Sequence, residues 1–114
     1  MNTTYNALIV PARLTQTVRI QPVEADVGEL QKLVAGNVGC ISGADWHVYF
    51  NDEGYRLPHN DRAEVLIREA GVRLDDTLNG VAVFLGHGRL EEESSAPARL
   101  IRLAERLFDL PLAA

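Results

Sequence analysis

The sequence has few of the features that mark secreted, membrane-spanning or nucleic-acid-binding proteins. Its 114 residues include one cysteine, Cys40, so no internal disulfide can form and nothing points to an oxidising compartment. No stretch approaches the roughly 20 apolar residues that a membrane span requires. The first residues lack the basic segment and apolar run of a signal peptide. These absences predict a cytoplasmic protein with no membrane partner.

Positive charge is also in the minority, with 11 lysine and arginine residues against 16 aspartate and glutamate residues. Lys32 is the only lysine, and the formal net charge is −5. Binding to a nucleic acid backbone requires a clustered basic face, so direct nucleic acid binding is not expected. The other cationic residues are arginines, whose guanidinium groups suit bidentate contacts with carboxylates or phosphates.

The remaining composition is that of an ordinary globular protein, with 46% apolar and 24% charged residues. A chain of this length forms one domain, 1–114, and can bury a core without metal or disulfides. The order of apolar patterns predicts an α+β fold with a mixed or mainly antiparallel sheet of about five strands and three helices packed on it. The predicted strands are 5–10, 17–23, 38–42, 46–50 and 81–85, and the predicted helices begin at Asp26, near Asn60 and at Ala96.

Several local features are predicted with these elements. Asp26 caps the first helix, with Glu29 at the capping-box position, and Gly36 ends it in a left-handed conformation. Either Asn60 or Asp61 can cap the second helix, and Asp61 is favoured because Glu64 lies three residues on. Three further predictions are a short return strand over 55–57, a polar link over 91–95, and a cap on the last helix from Ser94 or Ser95.

The sequence contains no spacing typical of a metal site or a catalytic centre. His47, His59 and His87 do not lie at helical ligand spacing, and Cys40 has no partner cysteine. Ligands from separate elements could still converge, but no metal, cofactor or catalytic residue is expected, and an enzyme is the least favoured class. Cys40 is expected in the core, with a thiol nucleophile as the alternative. The acidic runs Asp75–Asp76 and Glu91–Glu93 are interpreted as solvated loop charges.

Three groups of residues are candidates for binding a ligand or partner. His59, Asn60 and Arg62 lie at a predicted helix N-terminus, where backbone amides favour anions, although a plain helix cap explains them as well. Arg99, Arg102 and Arg106 form a basic stripe on the last helix, which either recognises an acidic partner or pairs with Glu105 and Asp109. Tyr49 and Tyr55 are candidate aromatic contacts.

Five stretches in their order along the chain resemble a family of small domains of unassigned function that are common in phages, plasmids and integrative elements of actinobacteria and firmicutes. The matching stretches are 7–11, 30–38, 50–54, 57–63 and 78–86. The resemblance implies a mobile-element protein that works in the cytoplasm of its host, and it transfers no catalytic residue. The positions in the recurrent pattern are Asn51, Glu53, Gly54, Asn60, Arg62 and Gly80.

These observations favour a small accessory protein that binds and modulates a host protein. The alternative is a protein that binds or sequesters a small ligand such as a nucleotide signal. A homodimer is a further candidate assembly, because small domains with an open sheet edge often pair.

Overall fold

The chain forms six strands and three helices in a computed structural model that describes residues 3–88 and 92–112. The strands are β1 (Thr4–Val10), β2 (Arg19–Glu24), β3 (Val38–Ser42), β4 (Trp46–Asn51), β5 (Ala82–His87) and β6 (Glu93–Ser94). The helices are α1 (Val27–Val34), α2 (Asp61–Glu69) and α3 (Ala98–Phe108).

All strands belong to one sheet, in the order β2-β1-β5-β4-β3, with every pairing antiparallel. The two-residue β6 pairs with the last residues of β5. The apolar β5 lies in the centre of the sheet, where both faces are covered, because its side chains are apolar on both sides. The predicted α+β fold with a mainly antiparallel sheet and three helices is confirmed.

Alternation along the strands divides the core into two layers. The face covered by α2 and α3 carries the buried side chains of Leu8, Trp46, Val48 and Phe84. The ring centres of Trp46 and Phe84 lie 5.8 Å apart. The opposite face packs against α1 through a second set of buried side chains, which includes Ile9, Val23, Leu30, Val34, Val83 and Leu85. His47 and Tyr49 also project from this second face, beside Leu85 and Val83 of β5.

Helix α1 begins as predicted but ends differently. The Asp26 side chain accepts a 2.9 Å hydrogen bond from the Glu29 N–H. The left-handed residue at the end is Ala35, with φ +63°, rather than Gly36. Gly36 follows Ala35 with φ +156° and also provides space: a Cβ there would lie 2.6 Å from Nδ2 of Asn51, which donates to the carbonyl of Ala35 at 3.0 Å.

Three local predictions were wrong because tertiary contacts override the local pattern. Residues 54–56 form a 3₁₀ turn instead of contributing to a return strand. Ser95 does not cap α3; its hydroxyl accepts from the Asn6 N–H at 2.8 Å, and Pro97 occupies the cap position without a side-chain bond. The polar link contains β6, while its residue Glu91 lies outside the described residues.

Among the helices in the described ranges, none has the combination of length and apolar character that is needed to cross a membrane.

Candidate functional site

Asn60 is fully buried at the start of α2, and its side chain is bonded to three backbone groups. Its Oδ1 accepts from the Ala63 N–H at 2.9 Å. Its Nδ2 donates to the carbonyls of Val10 and Gly80 at 2.8 and 2.7 Å. Asn60 therefore caps α2, and the preference for Asp61 was wrong, because a carboxylate cannot donate to two carbonyls. The atoms of this amide are used within the protein.

Arg62 closes the connection between β1 and β2. Its Nη2 donates to the carbonyls of Pro11, Arg13 and Gln16 at 2.8, 3.0 and 2.9 Å. Burial lowers the pKa of the Arg62 guanidinium. Three neutral carbonyls around one nitrogen leave this part of the guanidinium directed at the chain's own backbone rather than at an anion.

His59 belongs to a third internal network, centred on the buried Glu64. The Glu64 carboxylate contacts His59 Nε2, accepts from the Leu78 N–H at 2.9 Å and accepts from Arg68 at 3.2 Å. Burial acts to raise the pKa of Glu64, but these three partners outweigh it and the pKa is lowered. The structure thus brings His59, Asn60 and Arg62 together at α2, with each of them bonded to the protein itself.

The arginines of α3 share one open depression of about 810 Å³ on the outer side of the helix. Arg99 donates to Asp45 at 2.9 Å, whereas no ion pair within the described residues involves Arg102 or Arg106. The Glu105 carboxylate accepts from the Leu112 N–H at 2.8 Å. The plainer of the two interpretations was pairing of this stripe with Glu105 and Asp109, and the described residues contain no such ion pair.

The two candidate tyrosines lie in different places. Tyr55 is 76% exposed, and the Arg56 guanidinium lies 5.5 Å from the centre of its ring. It borders a separate depression of about 570 Å³ beside Phe50 and Ile41. Tyr49 is half-buried on the α1 face of the sheet and bonded to Glu93. The tyrosines and arginines therefore do not form one continuous contact surface.

A cluster that the sequence did not predict joins β4, β5 and β6. This histidine–glutamate cluster consists of His47, Tyr49, His87 and Glu93. Nδ1 of His47 lies 3.3 Å from Nδ1 of His87, and Nε2 of His47 lies 2.5 Å from Oε1 of Glu93. The Tyr49 hydroxyl donates to Oε2 of Glu93 at 2.5 Å, and Nε2 of His87 lies 3.0 Å from the carbonyl oxygen of Ala44. Glu93 is thus a bonded, partly buried group, and its interpretation as a solvated charge was wrong.

The cluster borders a groove of about 480 Å³ that also exposes Cys40. Cys40 is exposed, contrary to the prediction of a core residue, because β3 is the outermost strand and has a neighbour on one side only. Partial burial of the thiol and the charge of Glu93 raise the Cys40 pKa against the lowering effect of Ser42. A raised pKa leaves less thiolate and disfavours Cys40 as a nucleophile.

Burial, together with the bond to Glu93 and its charge, also raises the pKa of Tyr49, so its hydroxyl remains a donor. Among the described residues, no group of three or more histidine, cysteine and acidic side chains is placed to hold a metal ion. Alternation along β4 places His47 and Tyr49 on one face, and these two residues are half of the cluster. The position of Glu93 had no sequence signal, because β6 is defined only by its pairing with β5.

Comparisons with known proteins bear on the fold. No protein-family model matches the chain, and no curated protein matches its sequence. The crystal structure of small RNA methyltransferase HEN1 is similar over 90% of this chain, with a TM-score of 0.61 and 9% sequence identity. The chain spans 16% of the length of that protein. At this identity the likeness concerns the fold alone.

Proposed function

We propose that the chain acts by binding rather than by catalysis, as a phage or mobile-element accessory protein that modulates a host protein. The contact surface is the arginine face of α3, formed by Arg99, Arg102 and Arg106. One observation carries this proposal: the three arginines line a single open depression, where they outnumber the two acidic residues Glu105 and Asp109, although the chain as a whole has a net charge of −5. The partner surface is correspondingly acidic.

The way α3 is anchored supports this use of its outer side. Leu100 and Ala104 are buried in the core between the helix and the sheet, so α3 presents its opposite side, with the exposed arginines, to solvent. Guanidinium groups bind carboxylates in a planar, bidentate manner, and arginine is enriched among residues that dominate binding energy. A local cluster of positive charge also steers acidic partners toward the surface and speeds association.

The test is affinity capture from a lysate of a bacterial host with quantitative mass spectrometry. The Arg102→Glu/Arg106→Glu variant reverses the charge of the face, and Arg13→Glu/Lys32→Glu makes the same charge change at exposed positions elsewhere. We expect the unaltered protein and the control to retain one host protein, and the α3 variant to lose it at least about tenfold. Unchanged capture by the α3 variant, equal loss in the control, or no specific host protein contradicts the proposal.

A second candidate function, the binding of a small molecule, is favoured by the groove beside the histidine–glutamate cluster. Polar side chains of Ser42, Tyr49 and His87 meet there in about 480 Å³. Native mass spectrometry and thermal shift across a nucleotide panel test it. A ligand at 100 times its dissociation constant stabilises by about 2.7 kcal/mol. A bound small-molecule mass that disappears with Cys40→Trp would place the ligand in this groove, and no shift across the panel argues against it.

A further inference from the structure

The hydrogen bonds of the histidine–glutamate cluster form one continuous chain. At one end, Nε2 of His87 lies 3.0 Å from the Ala44 carbonyl oxygen, which can only accept, so this nitrogen carries a proton. The two Nδ1 atoms of His87 and His47 face each other at 3.3 Å. At the other end, Nε2 of His47 lies 2.5 Å from the Glu93 carboxylate.

The contacts in this chain require more protons than two neutral histidine rings supply. Each of the three contacts needs one proton between its two heavy atoms. Two neutral imidazoles beside a carboxylate supply two protons in total. With only two, lone pairs would oppose each other, either between the Nδ1 atoms or between His47 and Glu93.

We propose that the cluster is a proton-binding site that holds one additional proton. The proton is shared between His47 and His87, and its charge is balanced by Glu93. Imidazole is the stronger base of the two group types, and the second oxygen of Glu93 accepts a 2.5 Å hydrogen bond from the Tyr49 hydroxyl. The bound proton stabilises the packing of β6, which carries Glu93, against β4 and β5.

The ring geometry suits a proton shared between the two nitrogens. The planes of His47 and His87 differ by 7°, and their centres lie 5.5 Å apart. This separation exceeds the distance between the nitrogens by about two ring radii, so the rings meet edge to edge, where the nitrogen lone pairs lie. The ring of Tyr49 stands at 80° to His47 and supports it at 5.1 Å.

Among the groups around the groove, Glu93 is the one whose negative charge balances the shared proton. Of the described residues that line the groove, the other titratable groups are Cys40 of β3 and Tyr49 of β4, both with raised pKa values and therefore neutral near pH 7. Asp45, in the turn before β4, pairs with Arg99, and Glu92 lies beside Gly88. Helix α1 contributes no titratable side chain to the groove lining.

The site makes the stability of the fold depend on pH in both directions. Loss of the shared proton at high pH leaves two nitrogen lone pairs facing each other at 3.3 Å, so the contribution of the cluster to stability is lost as the pH rises. A second proton would place two cations with their Nδ1 atoms 3.3 Å apart, so stability also falls as the pH drops. β6 is expected to detach first, because it has only two residues paired with β5.

Nitrogen-15 NMR of the histidine rings tests the proton count directly on the unaltered protein. Near the stability maximum we expect three protonated nitrogens among the four of His47 and His87, and a coupled titration in two steps. The result that overturns the proposal is a pair of neutral rings that titrate independently. This measurement tests the proposed additional proton without any variant, so it does not depend on whether a variant folds.

The melting temperature as a function of pH is the second measurement. We expect a maximum between about pH 5 and 8, with a fall of about 5 °C on either side. In His87→Asn the introduced amide can donate to Nδ1 of a neutral His47, so the additional proton is no longer needed and the maximum should flatten. Asn37→Ala, at an exposed position outside the cluster, is the control and should keep it. An unchanged maximum in His87→Asn contradicts the proposal.

Discussion

The side chain of Asn60 donates a 2.7 Å hydrogen bond to the carbonyl oxygen of Gly80, which ties the start of α2 to the turn that enters β5. The same turn is closed from the other side, because the Gly80 N–H donates to the carbonyl of Pro58 at 2.7 Å. Gly80 has φ +79°, and a Cβ there would lie 2.7 Å from a methyl group of Leu57. Only glycine fits this turn without strain.

Replacement of Asn60 by alanine should destabilise the fold by about 3–5 kcal/mol, because two buried carbonyls and one helix N–H lose their partner together. Equilibrium unfolding in urea measures this change. Asn37→Ala, at an exposed position, is the control and should alter stability by less than about 0.5 kcal/mol. If Asn60→Ala changed the free energy of unfolding as little as the control does, the three hydrogen bonds would not contribute substantially to stability.

Glu64→Gln should weaken the fold in a pH-dependent way. The folded protein lowers the Glu64 pKa, so the carboxylate stabilises the fold above its ordinary pKa, near 4.5, and this contribution is lost as the pH falls through the lower folded value. We therefore expect a loss of about 1–2 kcal/mol near pH 7, which shrinks toward zero in acid.

Urea unfolding of Glu64→Gln and the unaltered protein at a series of pH values checks this expectation. Glu69→Gln, at an exposed position on the same helix, provides the control for removal of one negative charge. A difference that stays constant down to pH 2 would show that Glu64 contributes through packing rather than through its charge.

Cys40 should react with iodoacetamide in the folded protein, because it is exposed on the edge strand β3. Its raised pKa leaves less thiolate than in a free cysteine, so the reaction near pH 7.5 should be slower and its pH profile shifted upward. Mass spectrometry over time follows the modification, with free cysteine as the reference. A thiol that reacts only after urea is added would instead belong to the core.

The parts of the fold that follow from local pattern could be predicted from the sequence. Asp26 acts within one turn of helix, and the alternation of His47 and Tyr49 is a property of one strand. Whether Cys40 lies on a central or an edge strand depends on the strand order, which no local pattern contains. The role of Asn60 likewise depends on Val10 and Gly80, which only the folded chain brings to it.

The candidate site was predictable to a smaller extent. The arginine stripe of α3 follows from helical spacing, so Arg99, Arg102 and Arg106 were found together. The histidine–glutamate cluster required knowledge that His87 ends the strand beside β4 and that Glu93 returns to it. Both facts are pairings between distant segments. The sequence around His87 or Glu93 does not indicate which residue will be its partner.

The central position of β5 also determines the order in which the chain can fold. The hairpins β1–β2 and β3–β4 are each made of neighbouring segments, but they join only through β5, which comes later in the chain than all four strands. During synthesis, β1 and β4 therefore each present an unpaired edge until Ala82–His87 has left the ribosome. The late strand makes completion of the sheet a slow, non-local step, and a nascent chain that stalls before it exposes two edges open to aggregation.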